Sequence, residues 1–116
     1  MLVRIAILIL MAACALAEDW PQFLGPARNG VYSGNDLAAK WPPAGPAVVW
    51  KKDVGEGYSS PVVADGKVVQ CHRIGGELIV QCFAATTGHE MWRFARATKF
   101  QDGAFFDSGP RPTPTC

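Results

Sequence analysis

The side chains best suited to chemistry in this chain are its cysteines and histidines. Cys71-His72 and Cys82 fall on two segments rich in β-branched residues, with Gly75-Gly76 between them. A hairpin turning at that dipeptide sets Cys82 opposite Val69, with Cys71 as its diagonal neighbour on the same face. Two readings stay open for the pair. The thiols act as small buried hydrophobes, or they form a cross-strand disulfide after a two-residue register change, which an exported chain would tolerate. Cys116 has no obvious partner within the chain, so a mate is expected outside it. His72 adjoins Cys71, but adjacent strand residues point to opposite faces. His89 falls in a turn, and no Cys/His spacing fits a zinc site. Glu56, Asp102 and Asp107 stand in loops, where calcium ligands often sit, but without a dense run of oxygen donors they read as solvated charges. Ser59-Ser60 lacks the nucleophile-elbow pattern, and no glycine-rich phosphate loop precedes a helix. No catalytic constellation is visible.

The elements that would position these residues are strands. In 116 residues with 12 Gly, 9 Pro and a net charge of +1 there is room for one domain and no basic footprint for nucleic acid. Residues 18–47 form an arm broken by Pro21, Pro26, Pro42, Pro43 and Pro46, with one helical turn expected between Ser33 and Lys40. Trp20, Phe23, Tyr32 and Trp41 stud the arm and argue that it packs on something. From Val48 the pattern changes to short strands. Val48 to Lys52, Ser60 to Ala64, Lys67 to Arg73, Glu77 to Phe83 and Glu90 to Ala95 are the candidates, with Asp65-Gly66, Gly75-Gly76 and Thr86-Thr87-Gly88 as turns. The result is an antiparallel meander over residues 48–95, which needs a neighbour to bury both faces. Residues 96–116 are a polar, aromatic loop followed by Gly109-Pro110-Arg111-Pro112-Thr113-Pro114-Thr115, which echoes Gly57-Tyr58-Ser59-Ser60-Pro61-Val62-Val63 at a distance of 52 residues. That spacing is close to one propeller blade plus an inserted loop.

Residues 1–17 read as a secretory signal peptide: Arg4, an apolar run from Ile5 to Leu16, then Ala15-Leu16-Ala17 as a small-x-small cleavage site. The run is too short to span a bilayer as a helix. Met11-Ala12-Ala13-Cys14 competes as a lipoprotein box in which Cys14 would be lipidated, and only then would the chain be membrane-anchored. The complete small-residue signature favours cleavage after Ala17.

Cys82-Phe83-Ala84-Ala85-Thr86-Thr87-Gly88-His89-Glu90-Met91-Trp92 resembles the tryptophan-docking motif of pyrroloquinoline-quinone-like β-propeller repeats, A-x-D-x-x-T-G-x-x-x-W. Thr87, Gly88 and Trp92 match; Cys82 stands for the usual Ala and Ala84 for the usual Asp. Gly88 would permit the positive φ of a tight turn, Thr87 would bond the turn backbone, and Trp92 would stack between blades. Asp19 to Val31 is similar to the W-P-Q-F-R-G-P-x-R-x-G-V opening of secreted bacterial members, with Leu24 in place of Arg. Trp50-Lys51 with Gly55 to Val63 looks like the start of their first blade, and Gly109 to Thr115 like the start of their second.

The resemblance implies an all-β fold: one four-stranded antiparallel blade plus an N-terminal arm of a β-propeller of several, commonly eight, blades, the chain being a fragment whose partners are the remaining blades. It implies a bacterial protein exported to the periplasm, cell surface or medium, meeting other envelope proteins rather than nucleic acid. Two roles are carried by such folds, because fold alone does not fix function. The favoured one is a binding or scaffold module without a cofactor. The alternative is the N-terminal part of an alcohol or sugar dehydrogenase that uses pyrroloquinoline quinone and calcium, although the adjacent cysteine pair expected of such enzymes is absent from this sequence. Intact-mass measurement of the exported chain checks the processing: the expected mass begins at Glu18, and a diacylglycerol adduct on Cys14 would overturn it.

Overall fold

A computed structural model of the protein describes residues 18–104 and 106–116. The segment assigned to export, including Cys14, Ala15 and Ala17, lies outside the described residues. The architecture is one four-stranded antiparallel sheet in the order β1 (Val62–Ala64), β2 (Lys67–Ile74), β3 (Glu77–Ala84) and β4 (Glu90–Ala97), with no helix among the described residues.

The turns dictate the topology. Asp65 and Gly66 both adopt left-handed φ, at 49° and 68°, as a two-residue hairpin matched to strand twist requires. Gly75 supplies a φ of 56° at the second hairpin. The register that follows pairs Val69 with Cys82, Cys71 with Val80 and His72 with Ile79. Opposed residues share a face, so Val62, Val69, Cys82 and Trp92 make one row across all four strands, and Cys71, Val80 and Phe94 the next. On this face Val62, Val69 and Cys82 form a buried cluster, with Val80 packed against it. The opposite face buries Ile79, Phe83, His72 and Gln81.

Three sequence expectations give way. Val48 to Lys52 is not a strand: Val48 and Val49 are exposed, and the segment belongs to no ladder of the sheet. Its β-branched composition suits a strand, yet a strand needs a partner edge, and this segment leaves the sheet to place Trp50 elsewhere. The second strand begins at Val62 rather than Ser60, because Pro61 has no N–H to give to a ladder. Ser33 to Lys40 holds bends instead of a helical turn. One turn of helix costs more to nucleate than its single bond returns, and here Ser33 Oγ donates to Glu18 while Tyr32 donates to Asp36.

The arm packs as its aromatics suggest only in part. Trp20 bridges to Val63, with paired backbone bonds of 2.8 and 2.9 Å that partly cover the free edge of β1. Its ring lies on Gly25, where a Cβ would come within 2.7 Å. Phe23 and Trp41 stay exposed. β4 is exposed along its whole length.

Ile79→Ala is expected to lower the unfolding free energy by about 2–5 kcal/mol, the range for truncating a buried large aliphatic. Phe94→Ala should change it by no more than about 0.5 kcal/mol, as for an exposed position. Urea midpoints at constant m-value check both, and equal effects would contradict the burial described.

Candidate functional site

The motif residues converge on the turn that follows β3. Ala84 donates its N–H to His89 (2.8 Å) and accepts from Gly88 (2.8 Å), and Thr87 Oγ1 accepts from the His89 amide (3.2 Å). These bonds close the turn through backbone groups and the Thr87 hydroxyl. Gly88 is buried with φ 68°, and a Cβ there would lie 2.7 Å from the ring of Trp50. Trp50 therefore rests directly on the turn. Its indole N–H donates to the Ala85 carbonyl at 2.7 Å, and its ring meets Phe83 with centroids 6.3 Å apart. Lys52 Nζ stands over the Phe83 ring, 5.6 Å from its centroid.

Ala85 and Gly88 thus form the receiving surface, with Thr87 closing the turn, and the tryptophan they receive comes from 35 residues upstream of Ala85. Trp92, the motif's own tryptophan, sits on β4 opposite Cys82, 47% exposed. The composition of Val48 to Lys52 places Trp50 on a strand and does not point to this role. The signal was present in the shared pattern of a tryptophan followed by a basic residue, Trp50-Lys51 and Trp92-Arg93.

A buried polar chain lies beside the turn, on the same face as Phe83. Gly55 N–H donates to His72 Nδ1 (2.8 Å), His72 Nε2 meets Gln81 Oε1 (2.6 Å), and Gln81 Nε2 donates to Glu90 Oε2 (2.6 Å). Because Nδ1 accepts, the ring proton is on Nε2, which donates to Gln81. The chain ties the segment after Trp50 to β2, β3 and β4. Paired bonds between Glu56 and Arg73 extend the tie. His89, by contrast, is exposed.

The two segments that echo one another lie side by side. Tyr58 N–H donates to Pro110 O (2.9 Å), and Ser60 N–H to Thr113 Oγ1 (3.1 Å). Asp107 accepts from Gly57 N–H at 2.9 Å and from Gly109 N–H at 2.6 Å. A Cβ on Gly109 would collide with the Glu56 carbonyl, so glycine is required by the close approach.

Cys71 and Cys82 are free thiols, diagonal to one another in the register, and Cys116 is free and exposed. Burial pushes the Cys71 thiol up, opposed by a hydrogen bond with Ser59 and assisted by the charge of Cys116. Burial also pushes the Cys82 thiol up, with Lys67 opposing and Cys116 assisting.

Two of the loop carboxylates have protein partners of their own. Asp107 spends both oxygens on backbone amides, and Asp102 pairs with Arg111 at 2.7 Å. Among the described residues no group of three or more His, Cys, Asp or Glu is placed to hold a metal ion. Comparison with protein-family models, curated proteins and solved structures finds no match to this chain.

Gly88→Ala is expected to cost more than about 1 kcal/mol, since both its φ and the Trp50 ring oppose a side chain. Trp50→Ala should cost about 2 kcal/mol or more, and Trp92→Ala well under that, because large losses follow buried contact. Denaturant titration checks the order, and a larger loss for Trp92 would contradict the docking described. The raised thiols add a pH dependence. Their contribution to stability is intact below the ordinary thiol value and is lost as pH rises through the raised one. In the folded chain at pH 7, iodoacetamide should therefore label Cys116 ahead of Cys71, and Cys82 only on unfolding.

Proposed function

We propose that the chain is a blade of an exported β-propeller that works as a binding or scaffold module, and that it engages further units of its own kind. The observation that carries this reading is the seating of Trp50 on the Ala85–Gly88 turn while Trp92 stands open on the row of Val62, Val69 and Cys82. One tryptophan has found a turn of the docking type; the second presents the same group outward, where the equivalent turn of a neighbouring unit would receive it. The side-by-side packing of 57–63 against 109–115 supports the same reading, because like segments of successive units are neighbours when units repeat around an axis. A single sheet with an open face leaves apolar surface for a neighbour to cover, which is why such units stack.

A module of this kind acts through its surface rather than through a reacting group. Trp92 and Phe94, on one face of β4 and 47% and 60% exposed, supply an apolar surface for protein contact. Adding pyrroloquinoline quinone with calcium to the chain tests the reading against the dehydrogenase alternative. Unchanged tryptophan fluorescence and no dye reduction with alcohols are expected. Calcium-dependent quinone binding accompanied by dye reduction would overturn it.

A further inference from the structure

The chain treats the two edges of its sheet differently. β1 is three residues long, follows Pro61, and has its outer edge occupied by Trp20, which exchanges both backbone bonds with Val63. β4 is eight residues long, contains no proline and is exposed from end to end. Its inner side is committed: Thr98 N–H donates to Gly76 O at 2.8 Å, and the register pairs Arg96 with Leu78, Phe94 with Val80 and Trp92 with Cys82. Backbone direction alternates along an antiparallel strand. Thr98, Arg96, Phe94 and Trp92 therefore turn N–H and C=O toward β3, while Arg93, Ala95 and Ala97 turn theirs away from the sheet. Among the described residues β4 pairs only with β3, and no other backbone group bonds to these three. A row of free donors and acceptors at strand spacing is completed by another strand.

We propose that this strand is β4 of a second copy, paired antiparallel about a two-fold axis at Ala95. A ladder forms only where outward residues face outward residues. Phe83 pairs with Glu90 and Cys82 with Trp92, so Met91 is the extra residue of a bulge and the regular edge begins at Trp92. An axis at Arg93 or Arg96 would set an arginine on its own copy, and one at Phe94 would set Ala97 against the bulge. The axis at Ala95 sets Ala95 on Ala95 and Arg93 on Ala97, so all three outward residues of each copy are bonded. On the Trp92 face it sets Phe94 opposite Arg96, a ring beside a cation, and nowhere does a charge stand opposite a like charge. The edge at β1 is covered, so pairing closes at two copies instead of extending into a fibre. The contact uses groups in the plane of the sheet and does not rest on the docking of Trp92 into a neighbouring turn.

Sedimentation and NMR amide exchange of the chain over a concentration series test this. A monomer–dimer equilibrium is expected. As dimer forms, the amides of Arg93, Ala95 and Ala97 should gain protection and lose it again on dilution, while those of Trp92, Phe94 and Arg96 stay protected throughout. Ala95→Pro removes one outward N–H and keeps every bond to β3; it should sediment as monomer at all concentrations. A chain that stays monomeric to millimolar concentration, open-ended oligomers, or a dimer without the alternating protection would each overturn the proposal. A folded Ala95→Pro chain that still dimerises would also overturn it. The exchange pattern of the unmutated chain decides the matter whether or not that variant folds.

Discussion

Everything else in this small sheet depends on one buried imidazole. His72 is 2% exposed, and a polar ring so deep is tolerated only when both nitrogens are satisfied. Gly55 N–H fills one, Gln81 the other, and Gln81 passes the bond on to Glu90. The network spans three strands and the segment before β1, so that segment cannot leave without orphaning a buried acceptor, at a cost of about 1–3 kcal/mol. That tie holds residues 50–57 against the sheet. Once they are held there, Trp50 can settle on the turn behind β3 and cover Phe83.

The two faces of the sheet are consequently unequal. The face bearing His72, Gln81, Ile79 and Phe83 is covered by the chain's own segment 50–57. The other buries Val62, Val69 and Cys82 near β1 but runs out to open aromatics at Trp92 and Phe94 on β4. A closed face gives the unit an internal anchor, and an open one gives it something to present. The docking turn, the glycine at 88 and the exposed tryptophan follow one logic: a flat indole wants a flat backbone partner without a Cβ in the way, plus a carbonyl for its N–H.

How much of this could be read from the sequence depends on the range of each interaction. Hairpins are local: Asp65-Gly66 and Gly75-Gly76 announce their turns, and two-residue turns impose a register, so the opposition of Cys82 and Val69 follows from counting. Thr87 and Gly88 are legible for the same reason. Trp50 is not, because its partner turn lies 35 residues away and Val48-Val49-Trp50 has the composition of a strand. The residue types around His72 exclude a zinc site, and register arithmetic makes it diagonal to Gln81; its second partner, the Gly55 backbone amide, leaves no mark in residue types. Gly109 shows the same gap, since its reason is a close approach to Glu56 that only the fold creates.

The most direct test of this asymmetry is hydrogen exchange of the four indole N–H groups, resolved by NMR in the folded chain. Trp50, bonded to the Ala85 carbonyl in the pinned segment 50–57, should exchange far more slowly than Trp92 on the open strand. Protection of Trp92 equal to or greater than that of Trp50 would contradict the account.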